Sequence, residues 1–422
     1  MAAQQHGFCR NRSTTTNLLE FWNNVTEYIE NSLSTSILYT DLRKAFDTVP
    51  HDLLLHKISR YGINGKTGEW IKEFLNNRSQ RVSVGNELSL SRHVESGVPQ
   101  GAVLSGMLFS LYINDLPETL KFAQISMYAD DAKIFAPIKS QQNIEQFQED
   151  IDHLVTWCQT WRLRLNPQKC LLVQYNPRSI MRQYQPEYKI NGASLIKKAQ
   201  ARDLGIIISE DIKFHNQVNS VCSRATKEIH RIRRCFITRT PSFLCNMFKT
   251  YVRPHMEYAV EVWNPSYIGD KKQIERVQNR MTRLLRHGSM MTPEERNEAL
   301  GLTTHEECRL RGDMIATFKN INNPSLFTLR NNDRTRGNDK TIATRDYKND
   351  IKRHSFNHRV VSNWNSLPNS VVNSESVNSF KTNYDKYVRA IIEINNFAPV
   401  YSCRMFMHVL QSFREFLMSK IN

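Results

Sequence analysis

Apolar positions recur along the chain with two spacings, one typical of helices and one typical of strands. Apolar residues at helical spacing follow Asn17, behind a Ser/Thr run at 13–16 that can cap a helix. The same spacing predicts helices over residues 51–76, which a glycine-rich turn divides, and over 141–165. Shorter apolar runs predict strands, at residues 36–41, 81–84, 170–175 and 203–208. No internal repeat is visible.

Two adjacent carboxylates, Asp130 and Asp131, lie between two apolar runs in residues 125–135. This pattern predicts two short strands with the carboxylates at or near the tip of a hairpin. Neighbouring carboxylates at a tight turn repel each other unless a cation lies between them. Mg²⁺ suits such a place, because one or two carboxylates plus substrate phosphates usually hold it. A solvated turn would be the simpler explanation if the two residues stood alone.

A third carboxylate and a glycine-rich loop add to this pattern. Asp41 ends the apolar run 36–41, and the chain then turns into helix before Pro50. The loop 96–101 opens an apolar segment, 102–116, that is predicted to be a buried helix. Glycines on both sides of Gln100 let the backbone approach a ligand closely, although an ordinary helix-entry turn explains them equally well.

Positive charge is concentrated in one part of the chain. The formal net charge is +16, so a polyanionic binding partner is expected. Residues 222–288 hold 14 Lys/Arg against 5 Asp/Glu. Two predicted helices there carry basic residues opposite an apolar stripe, namely Arg224, Lys227, Arg231, Arg234, Arg276, Arg280 and Arg283. A solvated helix face is the ordinary explanation, but two such ridges in the most basic segment favour a phosphate-binding surface.

Several classes of protein are disfavoured by the composition. The eight cysteines show no C-x-x-C pair and no metal-ligand spacing, which indicates reduced thiols in an intracellular protein. The first residues lack the apolar core of a secretory signal. The longest apolar run, 102–116, is too short and too interrupted by polar residues to span a membrane. An intracellular location, nuclear or cytoplasmic, without a membrane is therefore expected.

In this order and spacing, the motifs resemble the reverse transcriptases of LINE-type (non-LTR, jockey-like) retrotransposons. The strongest matches are Asp41-Leu42-Arg43-Lys44-Ala45-Phe46-Asp47, Gly97-Val98-Pro99-Gln100-Gly101 and Tyr128-Ala129-Asp130-Asp131. Further matches follow the order of that family, at residues 5–8, 12–14, 112–116, 165–169, 204–205, 254–259 and 364–368. The resemblance extends from about residue 5 to about residue 388.

The resemblance implies an α+β fold of the right-hand polymerase type. An antiparallel sheet would form the palm, with partial fingers before it and a basic helical thumb after it. The implied regions are a fingers remnant at 1–35, a palm at 36–215, a thumb at 216–300 and a carboxy-terminal region at 301–422 with a polar linker at 320–350.

The resemblance also implies a catalytic role for four residues. Asp41 and Asp130 would bind two Mg²⁺ ions, for which Mn²⁺ could substitute, with Asp131 as a less direct third carboxylate. Lys169 would protonate the departing pyrophosphate, although it could equally be an ordinary cation at a helix end. Independently of any family, a two-metal centre suits nucleotidyl transfer, because it activates a 3′-hydroxyl and neutralises charge on the phosphate.

Nucleotide binding is implied for Phe46, Gln100, Gly101 and Tyr128. Phe46 would exclude a 2′-hydroxyl by steric clash, yet it could also be a simple core residue. Leu204-Gly205 would lie where the family grips the primer. Asp47 and Asp115 are predicted to be capping or salt-bridging residues.

The implied function is an RNA-directed DNA polymerase that extends a DNA primer on an RNA template with deoxynucleoside triphosphates. A catalytically inactive remnant that binds nucleic acid through its basic thumb is the alternative. A metal-dependent phosphohydrolase is disfavoured because the motifs lack the His or extra carboxylates that usually activate water.

The chain departs from the family at three places. The family's early fingers block and its amino-terminal endonuclease would both precede Gln5, so an amino-terminal truncation relative to the family is expected. After Gly101 the chain reads Ala102-Val103-Leu104-Ser105-Gly106, where the family usually has Ser-Val-Leu-Gly-Pro. Residues 390–422 match nothing in it.

Overall fold

Helices and strands are mixed in this chain, as expected. The computed structural model describes residues 1–175, 186–330, 338 and 340–397, with side chains as far as residue 393. The chain forms two compact units, of which the first is Met1–Ser220 and the second begins at Val221. Each unit is described by itself below.

Strands belong to the first unit, where they form one larger sheet and several two-stranded hairpins. Their bounds are β1 Ser34–Thr40, β2 Ser79–Gln80, β3 Ser83–Val84, β4 Glu87–Leu88, β5 Arg92–His93, β6 Gln124–Tyr128, β7 Asp131–Ile138, β8 Leu171–Tyr175, β9 Lys189–Ile190, β10 Ala193–Ser194, β11 Ile196–Lys197, β12 Gln200–Asp203 and β13 Ile206–Ser209.

Helices occur in both units. Those of the first unit are α1 Thr14–Glu30, α2 His51–Arg60, α3 Gly65–Leu75, α4 Val103–Tyr112 and α5 Gln141–Thr160, with single 3₁₀ turns at Ala45–Asp47 and Leu116–Thr119. Helix α6, His215–Cys235, spans the boundary. The second unit continues with α7 Pro241–Met247, a π-helical turn Phe248–Val252, α8 Arg253–Glu257, α9 Val260–Trp263, α10 Ile268–Thr282, α11 Pro293–Leu300, α12 His305–Asn320, α13 Asp350–His354, α14 Phe356–Arg359, α15 Val361–Asn365, α16 Asn369–Val372 and α17 Val377–Phe397.

The larger sheet has the strand order β11-β8-β1-β7-β6. Strand β1 is central and runs antiparallel to both β7 and β8. Strand β11, however, runs parallel to β8, because the chain returns to the same edge through the β9–β10 hairpin. The sheet is therefore mixed: the expected antiparallel pairing is found between β8, β1, β7 and β6, and β11 at the edge departs from it.

Both faces of the central strand are covered, which explains its continuous apolar run. Ile37 and Leu38 point to opposite faces and are both fully buried. On one face the ring of Phe21 from α1 packs edge-on against Phe135, with ring centroids 4.9 Å apart. On the other face Leu38 belongs to the main apolar core with residues of α4 and α5. Strand alternation places Asp131 and Lys133 on the same face as Phe135.

Three predicted elements differ from the observed ones. The run 203–208 is not one strand but a hairpin, β12–β13, whose two-residue turn is Leu204-Gly205. Both turn residues have positive φ, 43° and 89°, which matches the right-handed twist of paired strands. The helix predicted over 102–116 ends at Tyr112. Of the run 81–84, only Ser83–Val84 is paired strand.

The second unit contains the polar stretch 320–350, which was predicted to be a linker. In its described parts this stretch is packed, since the Arg330 amide donates to the Thr341 carbonyl oxygen and the Ala343 amide donates to the Thr328 carbonyl oxygen. Asn338 is buried and donates to the carbonyl oxygens of Trp364 and Leu367. None of the described helices of either unit has the length and apolar character needed to cross a membrane.

Candidate active site

The two adjacent carboxylates lie at the tip of the β6–β7 hairpin, as predicted. Tyr128 pairs with Asp131, so Ala129 and Asp130 form a two-residue turn. Ala129 has a φ of 54°, a left-handed conformation that costs a residue with a side chain about 1–2 kcal/mol. Such strain persists only where surrounding contacts impose it, and it is frequent at functional sites.

Strand register brings Asp41 to this turn. Thr40 pairs with Ala132, so the next position along the two antiparallel strands places Asp41 beside Asp131. Asp41 is held just beyond β1 because its carbonyl oxygen accepts a hydrogen bond from the Asn166 amide, 2.8 Å away. Asp41, which is distant in sequence, is thereby brought to the end of the sheet that carries the adjacent Asp130 and Asp131.

The electrostatics of the turn favour a cation. Partial burial raises the pKa of Asp130, and the nearby charge of Asp41 raises it further. Partial burial also raises the pKa of Asp131, with Asp130 as the largest charged contributor, while Lys133 opposes the shift. Lys169 is exposed, with its Nζ 4.0 Å from a carboxylate oxygen of Asp41. Burial, and to a smaller extent the neighbouring carboxylates, disfavour the charged forms of Asp130 and Asp131, and a divalent ion would offset both effects.

The carboxylates fit an ion that is shared with a substrate. Within the described residues, no group of three or more His, Cys, Asp or Glu side chains lies in a position to hold a metal ion by itself. Mg²⁺ does not need one, because it keeps several waters and completes its shell with substrate phosphates. The oxygen-only donor set and its negative charge, which Lys169 and Lys133 offset only in part, therefore suit Mg²⁺ or Mn²⁺, with Asp41 and Asp130 as the residues that would hold it.

The loop 97–101 is fixed against the segment that follows Asp41. The Gly97 and Val98 amides donate to the carbonyl oxygens of Val49 and Phe46, both at 2.8 Å. His51 and Arg78 bond the Gly97 carbonyl oxygen.

A side-chain hydrogen bond also joins the loop 97–101 to the segment that follows Asp41. Gln100 is exposed, and its Nε2 donates to Asp47 Oδ1 at 2.8 Å. Gly101 has a φ of 86° and open space around it. Asp115 forms the predicted salt bridge, with Lys57 at 2.6 Å, whereas Asp47 accepts a hydrogen bond from the neutral side chain of Gln100.

The aromatic candidates lie between this loop and the core. The ring of Phe46 stacks on buried Phe109, with centroids 4.5 Å apart, and meets Phe8 edge-on at 6.4 Å. Phe46 itself is only half-buried, so one part of its ring packs in the core while another remains accessible. Tyr128 is also half-buried, at the end of β6.

Replacing Gly97 by Ala should cost far more stability than replacing Gly101 by Ala. Both glycines have nearly the same positive φ, 87° and 86°, so both substitutions carry the same backbone strain of about 1–2 kcal/mol. Only at Gly97 would the new Cβ lie 2.7 Å from the Asp47 carbonyl oxygen. We expect Gly97→Ala to lose about 2 kcal/mol more free energy of unfolding than Gly101→Ala in urea titrations. Equal losses would contradict the tight contact between the loop and Asp47.

Sequence reasoning missed three residues beside the turn. Gln5 is fully buried and bonds the Ala129 amide. Lys133 and Asp203 form a buried ion pair of 2.5 Å on the face that carries Asp131. Two features of the sequence could have indicated them. Lys133 lies inside an apolar strand, and Gln5 belongs to the motif Gln5-His6-Gly7-Phe8, in which it was given no role.

Residues 1–208 match the protein family described as "Reverse transcriptase (RNA-dependent DNA polymerase)". This part of the chain is a reverse transcriptase domain, and its homologues are the RNA-directed DNA polymerases of non-LTR retrotransposons. The chain is 26% identical over 301 residues to the probable RNA-directed DNA polymerase from transposon BS of Drosophila melanogaster, covering 67% of this chain and 32% of the relative. With the RNA-directed DNA polymerase from mobile element jockey of the same species it shares 27% identity over 294 residues, covering 67% and 31%.

The chain spans about a third of the length of these two relatives. Among solved structures, apo telomerase from Candida tropicalis aligns with 67% of this chain and 46% of its own, at a TM-score of 0.39 and 12% identity.

Proposed function

We propose that the chain is an RNA-directed DNA polymerase that extends a DNA primer on an RNA template with deoxynucleoside triphosphates. The observation that carries this proposal is the convergence of Asp41, Asp130 and Asp131 at one end of the sheet, within a reverse transcriptase domain. Two Mg²⁺ ions bound there would favour loss of the proton from the 3′-hydroxyl of the primer and would neutralise charge on the departing pyrophosphate.

The protein's own part in this reaction is positioning and charge. Asp41 and Asp130 would hold the ions, and Asp131 would add negative charge beside them. Lys169, within 4.0 Å of Asp41, delivers a proton to the pyrophosphate as it leaves. The exposed position of this lysine suits that role, since its head can follow the leaving group.

Substrate selection falls to the residues around the loop. Phe46 stacks on Phe109, which restricts movement of its ring. The ring would contact the sugar of the incoming nucleotide, so that a 2′-hydroxyl would clash with it. Gln100, Gly101 and Tyr128 contact the incoming nucleotide and the template. The Leu204-Gly205 turn holds the primer end.

The proposed right-hand division has a palm at 36–215 and a thumb at 216–300. The boundary between the two compact units, after Ser220, lies close to the proposed end of the palm and supports it. The palm contains the mixed sheet, and the thumb is helical.

Primer extension tests the proposed function. Wild-type protein, an oligo(dT) primer on a poly(rA) template, dTTP and Mg²⁺ should give elongated primer, and Asp41→Ala should give none. If wild-type protein binds the primer–template but adds no nucleotide with Mg²⁺ or Mn²⁺, the chain is the inactive nucleic-acid-binding remnant instead.

The basic ridges of the second unit are proposed to contact phosphates. Helices α6 and α10 bury apolar stripes that include Ala225, Ile229, Ile274 and Val277. The opposite faces expose basic side chains, Lys227, Arg231, Arg234, Arg276, Arg280 and Arg283, while Arg224 is half-buried. Arg280 bonds Thr226, so the two ridges lie side by side.

Single substitutions on these ridges should change the salt dependence of binding. We expect Arg231→Ala and Arg276→Ala each to flatten the slope of log affinity for an RNA–DNA hybrid against log salt by about one unit. Fluorescence anisotropy over a range of KCl concentrations measures the slope. Arg162→Ala, which removes an equally exposed arginine from the first unit, is the control and should leave the slope unchanged. Slopes that are unaffected by the ridge substitutions would contradict the assignment.

A further inference from the structure

The side-chain oxygen of Gln5 accepts two backbone hydrogen bonds beside the carboxylate turn. Gln5 is fully buried, and its Oε1 accepts from the Ala129 amide at 2.9 Å and from the Gly7 amide at 2.7 Å. Both donors are N–H groups, so only the oxygen of the side-chain amide can occupy this position. The Nε2 atom is buried and makes no hydrogen bond within the described part of the chain, so the oxygen alone carries the interaction.

Ala129 is the residue at which the turn is strained. It precedes Asp130, has a φ of 54° and is itself buried. As the first residue of a two-residue turn it lies outside the ladder pairs of β6 and β7, so its amide needs another acceptor. A buried amide without one costs about 1–3 kcal/mol. Gln5 supplies this acceptor and so stabilises the left-handed conformation of Ala129.

Gln5 is held rigidly by the segment that contains it. The backbone on either side of it pairs with Met127 of β6, through Gln4 at 3.0 Å and His6 at 2.9 Å. At Gly7 a Cβ would lie only 2.4 Å from the Ala129 nitrogen, so the segment touches the turn with no space between them. The oxygen therefore has a fixed position relative to the hairpin.

We propose that Gln5 is a positioning residue of the active site, which fixes the turn that aims Asp130 and Asp131 by holding the Ala129 amide. This inference rests on the proposed function for its catalytic meaning, but its structural part concerns the turn and its affinity for a divalent ion. No other described side chain bonds the Ala129 amide.

Gln5→Met tests the proposal, because methionine keeps the length of the side chain and removes the acceptor. Asn17→Leu is the matched control, since Asn17 is a buried amide that bonds the same hairpin at the Met127 carbonyl oxygen, 2.9 Å away, and not at the turn. Gln5→Glu keeps an acceptor oxygen and serves as the conservative rescue. Melting temperature is recorded for each variant, and all assays are run where the protein is folded.

Three readouts follow. With ¹⁵N-alanine labelling, exchange of the Ala129 amide should accelerate in Gln5→Met and stay slow in Asn17→Leu and Gln5→Glu. The dissociation constant for Mn²⁺, measured by electron paramagnetic resonance without nucleotide, should rise about tenfold in Gln5→Met and stay unchanged in Asn17→Leu, while Gln5→Glu is left out of this comparison because it adds a carboxyl group beside the turn. In primer extension, kcat should fall about 10²-fold in Gln5→Met, the cost typical of a small misplacement, while the KM for primer–template is unchanged.

The proposal would be overturned if folded Gln5→Met bound Mn²⁺ as tightly as wild-type protein does. It would also be overturned if Asn17→Leu lost as much Mn²⁺ affinity and kcat as Gln5→Met. If Gln5→Met does not fold, Gln5→Asn, whose shorter side chain cannot reach the Ala129 amide, is measured in the same way and decides the question. If no variant and not even wild-type protein extends a primer, the proposed function fails. The exchange and Mn²⁺ measurements then still decide the role of Gln5.

Discussion

Asp130→Asn should lower the rate of nucleotide incorporation by on the order of 10³-fold, because it removes a negative charge that no neighbouring group replaces at the ions. The substitution keeps the shape of the side chain, so the hairpin remains folded. Single-turnover primer extension on an RNA template measures the rate. Asp52→Asn changes an exposed carboxylate of the same unit and should leave the rate unchanged. A rate for Asp130→Asn within tenfold of wild type would contradict the assigned role.

The same variant should be more stable than wild type when no divalent ion is present. Partial burial and Asp41 raise the pKa of Asp130 in the folded protein, so its charged form opposes folding at pH values above that raised pKa. Asn lacks this charge. The stability gain of Asp130→Asn should be present at pH 7 and vanish as the pH falls below about 4, where Asp is protonated in the unfolded chain too. Thermal unfolding in EDTA at several pH values measures it, and a gain that grows towards low pH would contradict the sign.

Lys133→Met should destabilise the first unit by about 3–5 kcal/mol, because it leaves the buried carboxylate of Asp203 without its cation. Both side chains are almost completely buried, their charged atoms are 2.5 Å apart, and Lys133 Nζ also lies 4.3 Å from the centroid of the Phe21 ring. The ion pair joins the β12–β13 hairpin to β7, two residues beyond Asp131. Urea titration of single and double variants measures its coupling energy.

The double variant Lys133→Met/Asp203→Leu should recover most of that loss, since apolar residues of similar volume often replace a buried ion pair at little cost. The exposed pair Arg162–Asp52, 3.4 Å apart, is the control, and its removal should cost about 0–1 kcal/mol. Strictly additive losses at Lys133 and Asp203 would show that the two charges do not stabilise each other.

The sequence predicted the parts of the site that are local in the chain. The hairpin around Asp130-Asp131 follows from two apolar runs on either side of a polar tip, and Asp41 follows from its position at the end of a strand. Their meeting depends on register between β1 and β7, which spacing along the chain does not reveal. The motif order supplied that information through the resemblance to reverse transcriptases, not through the pattern of apolar residues.

The misses share a physical cause, which is dependence on contacts distant in sequence. Gln5 lies 124 residues from Ala129, and Lys133 lies 70 residues from Asp203. A pattern of neighbouring residues therefore cannot predict either interaction. The run 203–208 read as one strand because Leu204 is apolar, whereas its left-handed conformation makes it a turn residue. The parallel pairing of β11 at the sheet edge likewise depends on how the chain returns after β10.

The account depends most on Asp41, Asp130 and Asp131 forming one divalent-ion site, and anomalous X-ray scattering from Mn²⁺ tests this directly. Crystals of the protein with primer–template and a non-hydrolysable deoxynucleotide analogue, soaked in MnCl₂, would be measured at the manganese absorption edge. We predict anomalous peaks between the Asp41 and Asp130 carboxylates, with oxygen ligands at roughly 2.0–2.2 Å, as for comparable ions. Manganese bound only to the nucleotide phosphates, with these carboxylates turned away from it, would contradict the account.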